Sequence, residues 1–143
     1  MDLENIDFIS RSEADTTAFA GQLCKALPDG GVIALYGDLG AGKTVFARGF
    51  ARALGITEPV SSPTYTILQE YPAPGNRYLY HLDLYRISDE RSALAFGVDE
   101  YLESGEYVLI EWPERITGIL PDNTLKLKIT HTGETERHWT VMK

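Results

Sequence analysis

Eight consecutive residues, Gly37-Asp38-Leu39-Gly40-Ala41-Gly42-Lys43-Thr44, fit the phosphate-loop (Walker A) pattern G-x-x-x-x-G-K-[ST]. The chemistry explains the spacing. Glycines let the backbone curl until successive N–H groups point inward at an anion. A helix that starts directly behind the loop adds its positive N-terminal end. Lys43 brings a full positive charge to the β- and γ-phosphates, and the Thr44 hydroxyl can ligate Mg²⁺. Such a pattern arises by chance as well. Here it follows an apolar run and opens an amphipathic one, which is the setting the chemistry requires. The expectation is a loop that holds Mg²⁺ with a nucleoside triphosphate.

A phosphate loop of this kind needs an acid near the metal, at the end of an apolar strand. Two residues qualify. Asp83 follows Tyr78-Leu79-Tyr80-His81-Leu82, and Glu111 follows Tyr107-Val108-Leu109-Ile110. Both are placed to sit at a strand's C-terminal end, the edge where open α/β sheets bind ligands. Taken singly, each also suits a solvated strand end. No N-K-x-D segment, the usual guanine reader, is present, which favours ATP. Trp112 adjoins Glu111 and can stack on a base; a core or surface aromatic is the plainer alternative. His81, His131 and His138 lack metal-ligand spacing and read as structural or exposed. Arg86 and Arg115 are candidates for an arginine finger, though a surface or structural ion pair accounts for either.

The elements that must position these residues follow from periodicity. Ser12 can cap a helix running to about Leu27, with Phe19, Leu23 and Leu27 on one face. Val32 to Tyr36 reads as a buried strand, and Lys43 to Leu54 as a helix that Gly55 ends. Thr64 to Tyr71 and Arg77 to Leu84, separated by Pro72 to Asn76, read as a hairpin. Asp89 to Glu103 reads as one or two short helices, broken at Gly97. Tyr107 to Glu111 is an apolar run ending in an acid. Asn123 to Thr130 and Glu136 to Met142 suggest a second hairpin turning at Gly133, with Lys126 and Lys128 on a solvated face. The predicted fold is α/β: a nucleotide-triphosphatase-like mixed β-sheet flanked by helices, with β-hairpins, forming a single domain over residues 1–143.

Composition narrows the function classes. A formal net charge of −8 argues against broad, sequence-blind nucleic-acid binding. The single cysteine, Cys24, lies in the first helical pattern and suits packing in a reducing compartment. No apolar run approaches a membrane span, and the acidic Met-Asp-Leu-Glu-Asn start is unlike a signal peptide. A cytoplasmic protein without membrane contact is expected.

Four segments together carry a family resemblance: the loop Gly37 to Thr44, Ser62-Pro63-Thr64-Tyr65-Thr66, His81-Leu82-Asp83-Leu84-Tyr85-Arg86, and Ile110-Glu111-Trp112-Pro113-Glu114. In this order they resemble the TsaE (formerly YjeE) family, bacterial ATPases of tRNA threonylcarbamoyladenosine biosynthesis. Residues after about Leu120 carry no motif of the resemblance. It implies a Mg²⁺-dependent ATPase with ATP and Mg²⁺ bound; because no arginine finger is obvious in the sequence, hydrolysis is expected to be slow alone and faster with partners. Thr44 and Glu111 would coordinate the metal, and Asp83 would be the acid of the metal shell or of hydrolysis. Lys43 would act on the phosphates, Thr64 would approach the γ-phosphate from a switch-like segment, and Trp112 would lie near the adenine. The implied partners are TsaD and TsaB, with tRNA engaged only through that complex. Together with TsaC they modify adenosine 37 of tRNAs that read codons beginning with A.

Two other classes use a similar loop. A small-molecule kinase would carry an acceptor pocket and usually an arginine-bearing lid, and no segment of clustered arginines is present. A nucleotide-dependent binding module would bind ATP without turnover. Phosphate release separates both from an ATPase.

Overall fold

A computed structural model of the chain describes residues 1–37, 41–60 and 67–142, with the backbone alone at position 41. Asp38, Leu39 and Gly40 of the loop lie outside the described residues, as does the segment Ser61 to Thr66 with Thr64.

The first helix, α1 (Glu13–Lys25), starts where its sequence says it should. The Ser12 side chain accepts from the Asp15 N–H, and the Asp15 carboxylate accepts back from the Arg11 N–H at 2.9 Å. It is preceded by β1 (Asp7–Ser10) and followed by β2 (Gly31–Gly37) and α2 (Ala41–Ala53). Behind α2, Gly55 adopts φ 88°, and its N–H reaches the Arg52 carbonyl. Next come β3 (Leu68–Ala73), β4 (Arg77–Asp83), α3 (Glu90–Phe96), α4 (Val98–Leu102) and β5 (Tyr107–Glu111). A 3₁₀ segment (Pro113–Ile119), β6 (Leu125–His131) and β7 (Arg137–Val141) complete the order. Gly97, at φ 94°, ends α3 and begins α4, so the expected break falls at that glycine.

The described strands form a seven-stranded sheet in the order β1-β7-β6-β2-β5-β4-β3. β2 lies parallel to both β5 and β6, and β4 parallel to β5. The pairs β3–β4, β6–β7 and β1–β7 are antiparallel. This is the expected α/β mixed sheet with two hairpins. Two details differ from the sequence expectation. β3 extends through Pro72 and Ala73, because it is an edge strand where a missing N–H interrupts no ladder; the turn is confined to Pro74, Gly75 and Asn76. β1 and the 3₁₀ segment were not anticipated. β1 is only four residues long and exists as the partner of β7.

The sheet separates two cores. On one face α1 and α2 bury Phe19, Leu23, Phe46 and Phe50 against Leu109 and Trp139, with Cys24 packed among them. The two helices approach closely at Gly49, where a Cβ would lie 2.9 Å from the Thr17 Cα. On the other face α3, α4 and the 3₁₀ segment cover Leu82, Val108 and Ile110. Trp139 joins the β1–β7 edge to the helices. Its ring lies 5.4 Å from Phe19 and 5.1 Å from Phe46, and its Nε1–H donates to the Ser10 hydroxyl at 3.1 Å. Trp139→Ala is expected to lose about 3–5 kcal/mol and to lower the thermal midpoint by roughly 10 °C or more. Calorimetric or circular-dichroism melts check this.

Candidate functional site

Strand alternation and register decide which side chains meet. Along β4, Leu79 belongs to the core under α1 and α2, whereas Leu82 belongs to the opposite core. His81 and Asp83 therefore share the face of Leu79. Along β5, Tyr107 and Leu109 point to that same face, so Glu111 does too. Asp83 pairs directly with Glu111, and Glu111 with Leu35 of β2. Since β2, β4 and β5 are parallel, their C-terminal ends coincide. That edge gathers Gly37, Asp83 and Glu111 beneath the start of α2.

The loop leaves the sheet at Gly37, which has φ 118°. Lys43 lies in the first turn of α2 and is only 3% exposed. Its ammonium donates to the Gly37 carbonyl at 3.1 Å, which folds the side chain back over the loop's entrance. Lys43 Nζ lies 5.8 Å from the centre of the Trp112 ring. Thr44, the next residue of the turn, is partly exposed.

The acids are held from both sides. Glu111 is 6% exposed, and its Oε2 lies 2.8 Å from His81 Nε2. A carboxylate only accepts, so the ring nitrogen donates. Asp83 is half-buried, and its Oδ1 accepts from the Tyr85 N–H at 3.0 Å. Burial pushes the Asp83 carboxyl above its ordinary range. The Tyr85 N–H opposes that shift, the Glu111 charge adds to it, and His81 and Lys43 oppose it.

Directly after Glu111 the chain turns sharply. Trp112 adopts φ 61° and ψ 48°, a left-handed conformation that costs a side-chain-bearing residue about 1–3 kcal/mol. The turn is braced by the Leu84 N–H donating to the Glu111 carbonyl at 3.1 Å. Tyr85 packs on the indole at 5.1 Å between ring centres, and the Arg115 guanidinium lies 5.6 Å from the Trp112 ring centre on its own contact. Arg115 is thus engaged with the indole.

Lys43, Asp83, Glu111 and Trp112 lie together, with Gly37, Gly42 and Thr44 at the same edge, and the Trp112 indole stands at the Lys43 ammonium. Asp38, Leu39, Gly40 and Thr64 lie outside the described residues, and for Ala41 only its place in the first turn of α2 is described. His81, to which the sequence assigned no role, lies against Glu111 at this edge. The signal was present as the His81-x-Asp83 spacing, which puts both residues on one strand face. His138 pairs with Asp7 at 2.6 Å, and His131 is exposed.

The donor set suits magnesium. It offers a hydroxyl and two carboxylates, all hard oxygen ligands. Among the described residues no group of three or more His, Cys, Asp or Glu gathers as an all-protein cage. Magnesium characteristically takes one or two carboxylates and completes its shell with phosphates and water. On the other flank of α2, a cleft of about 360 Å³ opens beside Gly42, lined by Ser12, Thr16, Val45, Thr135 and Arg137. Among the described residues no helix is long and apolar enough to cross a membrane.

Residues 10–139 match the family model described as threonylcarbamoyl adenosine biosynthesis protein TsaE. The tRNA threonylcarbamoyladenosine biosynthesis protein TsaE of Bacillus subtilis is 44% identical over 126 residues, covering 88% of this chain and 78% of that protein. The protein of the same name from Treponema pallidum is 36% identical over 133 residues, covering 93% of this chain and 97% of that one. The crystal structure of Bacillus subtilis YdiB superposes with a TM-score of 0.74 at 34% identity, covering 96% of this chain and 84% of that one. The chain belongs to the TsaE family, whose members take part in tRNA threonylcarbamoyladenosine biosynthesis.

Proposed function

We propose that this chain binds Mg-ATP at the C-terminal edge of β2, β4 and β5 and hydrolyses it, slowly alone and faster with TsaD–TsaB, in support of tRNA threonylcarbamoylation. The observation that carries this reading is the buried Lys43 ammonium, held at the Gly37 carbonyl on the sheet face that Asp83 and Glu111 share.

Lys43 exchanges its carbonyl contact for the β- and γ-phosphate oxygens. Thr44 and Glu111 would hold the cation, with Asp83 beside them. A bound magnesium would neutralise charge that develops on the phosphates in the transition state. Water attacks the γ-phosphorus in line, the bond to the β-phosphate oxygen breaks, and ADP and phosphate leave. Tyr85, Trp112 and Arg115 pack against one another behind the acids.

The base is better accommodated in the cleft beside Gly42 than against Trp112. Trp112 sits at the Lys43 ammonium, hence at the γ-phosphate end, and the base of a nucleotide lies beyond the α-phosphate. In the cleft, Arg137 Nη1 is fixed by the carbonyls of Gly133, Glu134 and Glu136, at 3.4, 3.3 and 3.0 Å. Its planar guanidinium offers a stacking surface for a purine.

Phosphate release from ATP, measured with and without TsaD–TsaB, tests the proposal. Slow release that rises several-fold with the partners is expected, and Glu111→Gln should abolish the rise. Equal rates with and without partners, or transfer of the phosphate to a small acceptor, would overturn it.

A further inference from the structure

We infer that His81 is a positioning residue for the cation: its ring holds Glu111 Oε2 so that Oε1 is the oxygen presented to Mg²⁺. The inference rests on the Mg-ATP reading above and assigns a role to a residue that reading leaves idle.

His81 is 1% exposed, and its Nε2 lies 2.8 Å from Glu111 Oε2. Its Nδ1 is buried and has no hydrogen-bond partner among the described residues. A core position chosen only for packing would not carry that nitrogen, because a buried polar atom left unpaired is destabilising and a leucine or phenylalanine has none. What the histidine contributes is the Nε2–H donor.

The geometry around Glu111 leaves that donor a specific task. The backbone of Glu111 is fixed by its pairings with Leu35 and Asp83 and by the Leu84 N–H on its carbonyl. The side chain still has rotamer freedom, and it must stand beside a second acid in a desolvated setting. Repulsion from Asp83 would turn it away. The hydrogen bond from β4 holds the carboxylate plane before the cation arrives. Partners of this kind, one step behind a metal ligand, set its orientation, and their loss typically lowers metal affinity about 10- to 100-fold.

Two amide variants separate this role from plain packing. Glutamine places its amide nitrogen where histidine has Nε2. Asparagine is shorter and places its own near Nδ1, out of reach of Glu111. The full chain and each variant are titrated calorimetrically with a non-hydrolysable ATP analogue, first in EDTA and then across a MgCl₂ series. His81→Asn is expected to raise the half-saturating Mg²⁺ concentration about 10- to 100-fold, with affinity in EDTA unchanged. His81→Gln should restore most of the loss. An equal shift in both variants, or none in either, overturns the inference and leaves the Mg-ATP reading standing. Absence of nucleotide binding by the unsubstituted chain removes both. Should His81→Asn fail to fold, imidazole ¹⁵N spectra of the unsubstituted protein decide the matter. The His81 Nε2 signal should show a bound proton and shift when Mg²⁺ joins the nucleotide complex. A signal that ignores Mg²⁺ overturns the inference.

Discussion

Lys43→Ala is expected to reduce ATP binding or turnover by about 100- to 1,000-fold, with little change in the melting of the nucleotide-free protein. The side chain is buried at the edge of the site, and its terminal charge meets the Gly37 carbonyl. It belongs to neither of the two apolar cores, so its removal opens no cavity in them. What disappears is a fixed positive charge, screened from water and aimed where phosphate charge accumulates. Charges of that kind act strongly because the surroundings are desolvated and already ordered. The check is a pair of measurements: the thermal midpoint with and without nucleotide, and phosphate release. The unsubstituted protein should gain several degrees on adding nucleotide, and the variant should gain none. A Lys43→Ala variant stabilised by ATP as strongly as the unsubstituted chain would remove the physical basis of the proposed site.

Gly37→Ala should damage stability and binding together. At φ 118° a Cβ on this residue would lie 2.1 Å from the Ile129 carbonyl oxygen, and 3.1 Å from both the Ile129 carbonyl carbon and nitrogen. Those are backbone atoms of the paired strand, so no rotamer change relieves the contact. Either β2 parts from β6 at its last pairing, or Gly37 leaves its conformation. Each response displaces the point from which the phosphate loop departs. Backbone strain of about 1–3 kcal/mol adds to an overpacking cost of about 1–3 kcal/mol. The thermal midpoint should therefore fall by roughly 10 °C, and calorimetric affinity for the ATP analogue should fall with it. A variant that melts with the unsubstituted protein and binds nucleotide normally would show that this glycine is not required where the loop begins.

Much of this site was legible because its parts are local. The loop spacing depends on backbone curvature within eight residues, and the acids announce themselves as the last residues of apolar runs. The helix starts were equally local: Ser12 and Asp89 each accept from an N–H three residues on. Gly97 marked the break between α3 and α4 for the same reason, since a residue at φ 94° suits glycine above others. β1 was not legible. Its four residues acquire strand geometry only from Thr140, Trp139, His138 and Arg137, far along the chain. The pairing of His81 was not legible: its spacing from the other histidines said nothing, because its partner is a carboxylate on a neighbouring strand.

By itself, then, the order of residues determined the Walker A pattern, the two strand-end acids, most helix and strand segments and the family. Each of these is a property of short stretches, governed by backbone freedom, capping and side-chain period. The tertiary structure alone decided that Asp83 pairs with Glu111, that His81 grips Glu111, that Trp112 stands beside the Lys43 ammonium, and that Arg137 borders Gly42. Such neighbours are chosen by strand order and register. Those depend on which apolar faces can be buried together across the whole sheet, and no local pattern encodes that choice.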